Sequence, residues 1–220
     1  MSSHLQQTRI ASPTLPATSQ IRQRIDAVQN VRAKRALQLQ FLSASRVSEI
    51  VGAKGVKGQD CQLNTYENHP LVVFSIKTAK RQGKVRAVAL PLETEFDPWT
   101  RPVVEYCQAK DDPSQLIFDL TPRMMQKYAV QAFQGLSYHI EGYEEEGKSV
   151  GPHWKNISTH GLRHIRATEL MMYYGFDGID LAIMCGWSLK SQVGMPGVAS
   201  RYLYLQWSRY FPKLLKPLPS

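Results

Sequence analysis

A chain of 220 residues has room for one domain with a substantial core, and two full domains would be a squeeze. Its 43% hydrophobic content and four Trp exclude a disordered chain, and three cysteines with no CxxC pair speak against a disulfide framework or a zinc site. With 27 Lys and Arg against 18 Asp and Glu, the net charge of +9 suits a phosphate-rich partner, either nucleic acid or an anionic membrane surface.

Residues 1–20 are polar and rich in Ser, Thr, Gln and Pro, and read as a flexible arm with no apolar run of the signal-peptide kind. From Ser19 the composition becomes helix-forming. "SQIRQRIDAVQNV" and "RAKRALQLQFLSASRVSEIVGA" place Ile21, Ile25 and Val28, then Leu37, Phe41 and Leu42, at helical spacing, which predicts two helices, the second ending near Gly52. "HPLVVFSIKTAKRQGKVRAVALPL" switches period: Val72, Val73, Phe74 and Ile76, then Val85, Ala87, Val88 and Leu90, flank a polar turn and predict a β-hairpin. Its tip is strongly basic, with Lys77, Lys80, Arg81, Lys84 and Arg86.

"TRPVVEYCQAK" and "TPRMMQKYAVQAFQGL" predict further helices, the second capped by Thr121 with Pro122 in its first turn. "YEEEGKSVGPHW" reads as a loop. "STHGLRHIRATELMMYYG" predicts an amphipathic helix that turns Leu162, Ile165, Leu170 and Met172 to the core. A short helix at "DGIDLAIMCGW", an interrupted connection "SLKSQVGMPG" and a last helix "VASRYLYLQWSRYF" complete the chain. The expected fold class is α+β, mostly helical with a small antiparallel hairpin or sheet.

The helix from Ser158 carries His160, Arg163, His164 and Arg166 in its first two turns, where the helix dipole disfavours positive charge. A bound anion would offset that cost. His160 and Arg163, three residues apart, share a face: the guanidinium offers a fork suited to two oxygens of one phosphate, and the imidazole can donate or pass a proton. Upstream lie Arg46, with Glu49 three residues on, and Lys77 at the end of a strand; downstream lie Trp187, Tyr202 and Tyr204. Each has an ordinary reading as well: an Arg46–Glu49 surface ion pair, a strand lysine, a core Trp.

Taken in order, "ASRVSE", "IKTAKRQGKVR", "HGLRHIRAT", "CGW" and "SRYLYL" resemble the motifs of the tyrosine recombinase family, the phage-type integrases and their chromosomal resolvase relatives. The resemblance spans Arg46 to Tyr202 and implies the fold of that family's catalytic domain over residues 21–220. It implies an enzyme acting on double-stranded DNA as a self-associated dimer to tetramer; the few cysteines and the polar N-terminus suit the cytoplasm or nucleoid, or a host cell's cytoplasm if the chain is viral. The tyrosine would attack a backbone phosphate to give a 3′-phosphotyrosine, an exchange of phosphodiesters that needs no metal or other cofactor.

The resemblance assigns Arg46 and Arg163 to the non-bridging oxygens, His160 to hydrogen bonding and proton transfer, and Lys77 to the leaving 5′-oxygen, with Lys80 its rival. Trp187 stands where most members carry His. Tyr202 is the expected nucleophile and Tyr204 the second choice, while Lys80, Arg81, Lys84 and Arg86 are expected to contact DNA. Two departures stand out. The connection from Trp187 to Tyr202 is longer than in many relatives, which suggests a loop delivering the tyrosine in cis or in trans. The helical core-binding domain that usually precedes Arg46 is not apparent. A type IB topoisomerase and a catalytically silent DNA-binding relative remain the alternatives.

Overall fold

A computed structural model describes residues 16, 18–79, 84–94, 97–140, 143–145, 148–187 and 206–216. The chain begins with α1 (Thr18–Asp26) and α2 (Val31–Leu42), whose N-cap Asn30 accepts the Ala33 N–H at 2.9 Å. Eight of the twelve α2 residues are buried, so this helix forms the centre of the core.

The second helix expected to run to Gly52 is broken. Ser43 Oγ donates back to the Leu39 carbonyl at 2.6 Å and accepts from Ser45 Oγ at 2.7 Å, and Ala44 adopts a positive φ of 47°. Hydroxyls that compete for backbone partners thus end α2, and the chain restarts as the single turn α3 (Val47–Ile50) with Arg46 at its N-cap. The break turns Arg46 and Glu49 out of the line of α2.

A three-stranded antiparallel sheet follows in the order β1 (Cys61–Tyr66), β2 (His69–Lys77), β3 (Val85–Pro91). The expected hairpin is β2–β3, with Lys77 opposite Val85. Strand β1 is an additional edge strand whose exposed residues hide its period. It joins β2 through a two-residue turn, Glu67 and Asn68, both at positive φ, so "EN" was the available hairpin signal. Both faces of the sheet are covered: Val72, Phe74, Ile76, Val88 and Leu90 enter the main core, and Leu71 and Ala89 pack against Phe211. That is why both strands read as near-continuous apolar runs.

Helices α4 (Thr100–Gln108) and α5 (Pro122–Ala132) match expectation, and Thr121 caps α5 by accepting the Met124 N–H. The segment expected as a loop, 143–154, contains strands instead: β5 (Tyr143–Glu145) pairs with β6 (Lys148–Val150), and β7 (His153–Asn156), which begins at its end, pairs with β4 (Ser137–Ile140) just ahead of it. The Glu- and Gly-rich composition of 143–154 masks the pairing, which side chains also support: Tyr138 enters the core, and His139 meets Trp154 across the strands with ring centroids 5.4 Å apart.

Helix α6 (Thr159–Tyr174) runs between its Ser158 cap and Gly175, which takes the left-handed conformation at φ 62°. Gln40 Nε2 donates to the Thr159 carbonyl at 2.7 Å and ties α2 to its first turn. Met172, expected in the core, is 56% exposed, and Met171 and Tyr173 beside it are exposed too. Helix α7 (Gly178–Cys185) is capped by Asp177. Over the described end of the chain, a 3-10 turn (Trp207–Arg209) precedes α8 (Phe211–Leu215), so the last expected helix does not continue unbroken into Phe211. Arg209 and Lys213 fix this end to the buried Asp180, and Tyr210 Oη accepts the Ala89 N–H at 3.0 Å.

Arg166 takes no part in a surface patch. It is wholly buried between Asp97 and Glu169, both of which also bind Arg22 of α1. Two arginines against two carboxylates make a neutral cluster that joins α1, α6 and the approach to α4. Burial opposes the charge on Arg166, yet the two carboxylates outweigh it and raise its pKa above the ordinary value. Tyr174 donates to Asp97 at 3.3 Å, and burial together with Asp97 pushes its pKa up to about 12.

Candidate active site

Glu49 is wholly buried and holds the site together. Its Oε2 accepts the Arg46 backbone N–H at 3.0 Å and Arg86 Nη2 at 2.9 Å, while Oε1 accepts Arg46 Nη1 at 3.0 Å and the Ala79 N–H at 3.1 Å. Arg163 Nη1 stands 3.7 Å from Oε2. One carboxylate therefore gathers arginines from the start of α3, from β3 and from α6, together with the turn just beyond Lys77. Burial alone would raise the pKa of Glu49, but the Arg86 charge and the Arg46 and Ala79 amides outweigh it and hold the group below its ordinary value of 4.5.

Three guanidiniums around one carboxylate leave two positive charges unmatched within the cluster. In a poorly solvated interior that imbalance costs free energy unless an anion completes it. The strain shows at Arg163, which is 2% exposed. Burial, reinforced by the charges of Arg46 and Arg86, draws its pKa down to about 10. Its Nη2 donates to the Cys185 carbonyl at 2.8 Å, its guanidinium lies 5.5 Å from the centre of the half-buried Trp187 ring, and Nη1 makes no hydrogen bond. The Arg46 side chain is 23% exposed and gives the cluster its access to solvent.

Arg86 departs from expectation. Rather than lying on a DNA-facing tip, it is buried, donating to Ser45 Oγ at 2.6 Å, to Glu49 and to the Met184 carbonyl. The signal was present in the sequence, because Arg86 is in phase with the inward Val88 and Leu90 of the same strand. Its path depends on Gly186: a Cβ there would come within 2.9 Å of Arg86 Cδ, and the residue sits at φ 69°. The "CGW" glycine thus ends α7 and lets the arginine pass.

Lys77 and Lys84 are exposed at the base of the β2–β3 turn, where Thr78 N–H and Oγ1 both donate to the Lys84 carbonyl. A cleft of about 440 Å³ lies between this base and the end of α7, lined by Thr78, Lys84, Arg86, Gly186, Trp187 and Trp207 among others. His160 is exposed on the first turn of α6, its Nε2 3.0 Å from His164 Nε2. Lys80, Arg81, Tyr202 and Tyr204 lie outside the described residues, as does the connection through residues 188–205. The sequence pairs Arg46 with Glu49 correctly, but the carboxylate's reach to β3 and α6 is visible only in three dimensions.

Fold and site together define an α+β domain with a buried, under-compensated arginine cluster suited to an oxyanion. The chain belongs to the phage integrase family, whose sequence model matches residues 17–195. The family's proteins act on DNA, in recombination and integration. The matched span contains Arg46, Lys77, His160, Arg163 and Trp187 and ends before Tyr202. Comparison with curated proteins and with solved structures gives no match. No helix among the described residues is long and apolar enough to cross a membrane.

Proposed function

We propose that this member of the family is a site-specific DNA recombinase that cleaves and rejoins strands through a covalent 3′-phosphotyrosine. The observation that carries the proposal is the unmatched positive charge of Arg46, Arg86 and Arg163 around Glu49, directly beside the strand that ends in Lys77. A scissile phosphate supplies the missing negative charge. In the transition state more charge gathers on its non-bridging oxygens, where preorganised guanidiniums stabilise it most.

Arg46 and Arg163 bind those oxygens, and Arg86 adds its charge from below while fixing Glu49. Tyr202 Oη, or Tyr204 Oη as second choice, forms the new bond to phosphorus as the bond to the 5′-oxygen breaks. The Lys77 ammonium gives its proton to that departing oxygen, and His160 takes part as donor and proton carrier. Trp187 braces the Arg163 guanidinium with its ring face. Lys80, Arg81 and Lys84 contact flanking backbone, and the protein acts as a self-associated assembly on duplex DNA.

The test is a nicked suicide substrate carrying the protein's own recombination site. The wild type is expected to give a protease-trimmable covalent adduct that Tyr202→Phe abolishes without loss of binding. An adduct that survives Tyr202→Phe but not Tyr204→Phe moves the nucleophile. No adduct from the wild type sinks the catalytic reading, and supercoil relaxation without strand exchange between two sites reassigns the activity to a topoisomerase.

A further inference from the structure

His164 lies one turn beyond His160 on α6, outside the arginine cluster. The two rings meet edge to face with centroids 4.6 Å apart, and the two Nε2 atoms are 3.0 Å apart. At that separation one nitrogen must carry a hydrogen and the other a lone pair. From the geometry we infer that His164 is a positioning residue for His160: its Nε2 accepts the His160 Nε2–H, which fixes the ring and makes Nδ1 the nitrogen through which His160 exchanges a proton.

The direction of the bond follows from charge. When His160 takes up a proton, both of its nitrogens carry hydrogen, and the contact survives only if His164 remains neutral and accepts. The surroundings keep it neutral. His164 keeps an exposed face, and desolvation of the rest of the ring, with the charges of His160 and Arg163 on its own helix and of Lys155 on β7, lowers its pKa to about 4. With His164 as donor instead, each protonation of His160 would break the contact and release the ring. A neutral acceptor strengthens its bond as His160 becomes an imidazolium, so orientation is kept through the proton-transfer cycle. The proton count closes, because Nδ1 gains one proton and later returns it while the Nε2 hydrogen stays in place.

The inference rests on the proposed recombinase reading for its catalytic meaning, though the hydrogen bond can be tested without it. Nitrogen-15 NMR of the intact protein, labelled at histidine, is expected to show neutral His160 as the Nε2–H tautomer and His164 resisting protonation down to about pH 4. His160 as the Nδ1–H tautomer, or His164 titrating near its ordinary 6.5, overturns it. On the suicide substrate, His164→Leu is expected to slow adduct formation about tenfold and shift the acidic limb of the pH–rate profile, while His164→Gln, which can still accept, restores most of the rate. Equal rates and profiles for all three proteins also overturn it. If the wild type forms no adduct, the recombinase reading fails and the NMR experiment alone decides whether the hydrogen bond exists.

Discussion

Two buried arginine clusters share helix α6, only one turn apart, and they are built to opposite rules. Arg166 sits with Arg22 between Asp97 and Glu169, two charges of each sign. Arg163 sits with Arg46 and Arg86 around Glu49 alone. Each cluster contains a buried Nε–H with no partner, so unsatisfied donors do not distinguish them. Charge balance does, and it moves the two pKa values in opposite directions: burial dominates at Arg163 and lowers it, whereas the carboxylates prevail at Arg166 and raise it. A balanced cluster holds elements together, and an unbalanced one is the kind of site that an anion would complete.

That contrast is broken most severely by removing one arginine from each. Arg166→Met strands two carboxylates with one counter-charge and is expected to cost about 3–5 kcal/mol in urea unfolding. Arg163→Met relieves repulsion instead, so its stability should stay within about 1 kcal/mol of wild type while adduct formation falls by about 10²-fold or more. Equal destabilisation by the two substitutions would erase the distinction.

Gly186→Ala attacks the unbalanced cluster through the backbone. A side chain at φ 69°, pressed against Arg86 Cδ, is expected to cost about 1–3 kcal/mol and to lower activity, because Arg86 must shift away from Glu49. A smaller effect sharpens the comparison from the ligand side. Sulfate or phosphate at about ten times its dissociation constant should stabilise the wild type by about 1.4 kcal/mol and leave Arg163→Met nearly unaffected. Thermal melts of both proteins across an anion series measure this.

The smallest effect is in acid. The pKa of Glu49 is lower in the folded protein than its ordinary 4.5, so its contribution to stability is complete above 4.5 and is lost as pH falls through the depressed value. Below pH 4.5, Glu49→Gln is therefore expected to show a flatter decline of stability with pH than the wild type. Parallel declines would mean that the arginines do not hold Glu49 ionised.

The positions proposed for the site were readable in the sequence where their pattern is local: Arg46 with Glu49, a lysine closing a strand, and His160 with Arg163 on one helix turn. Arg86 was misread because a basic residue near a basic turn suggests solvent, and its strand phase, which pointed inward, was outweighed by composition. The strand pairs β4–β7 and β5–β6 were missed because the strands are only three or four residues long, too short to show a period of two, and because β4 and β7 become adjacent only by folding.

Sequence alone was enough for the β2–β3 hairpin, the cap of α5, the span of α6, the mostly helical α+β class and the family, since each depends on short-range pattern. Tertiary structure decided which arginines are balanced. Asp97 lies 69 residues from Arg166, and Glu49 lies 37 from Arg86. No periodicity reports such distances, because the pairing of buried charges is set by where packed elements bring them together.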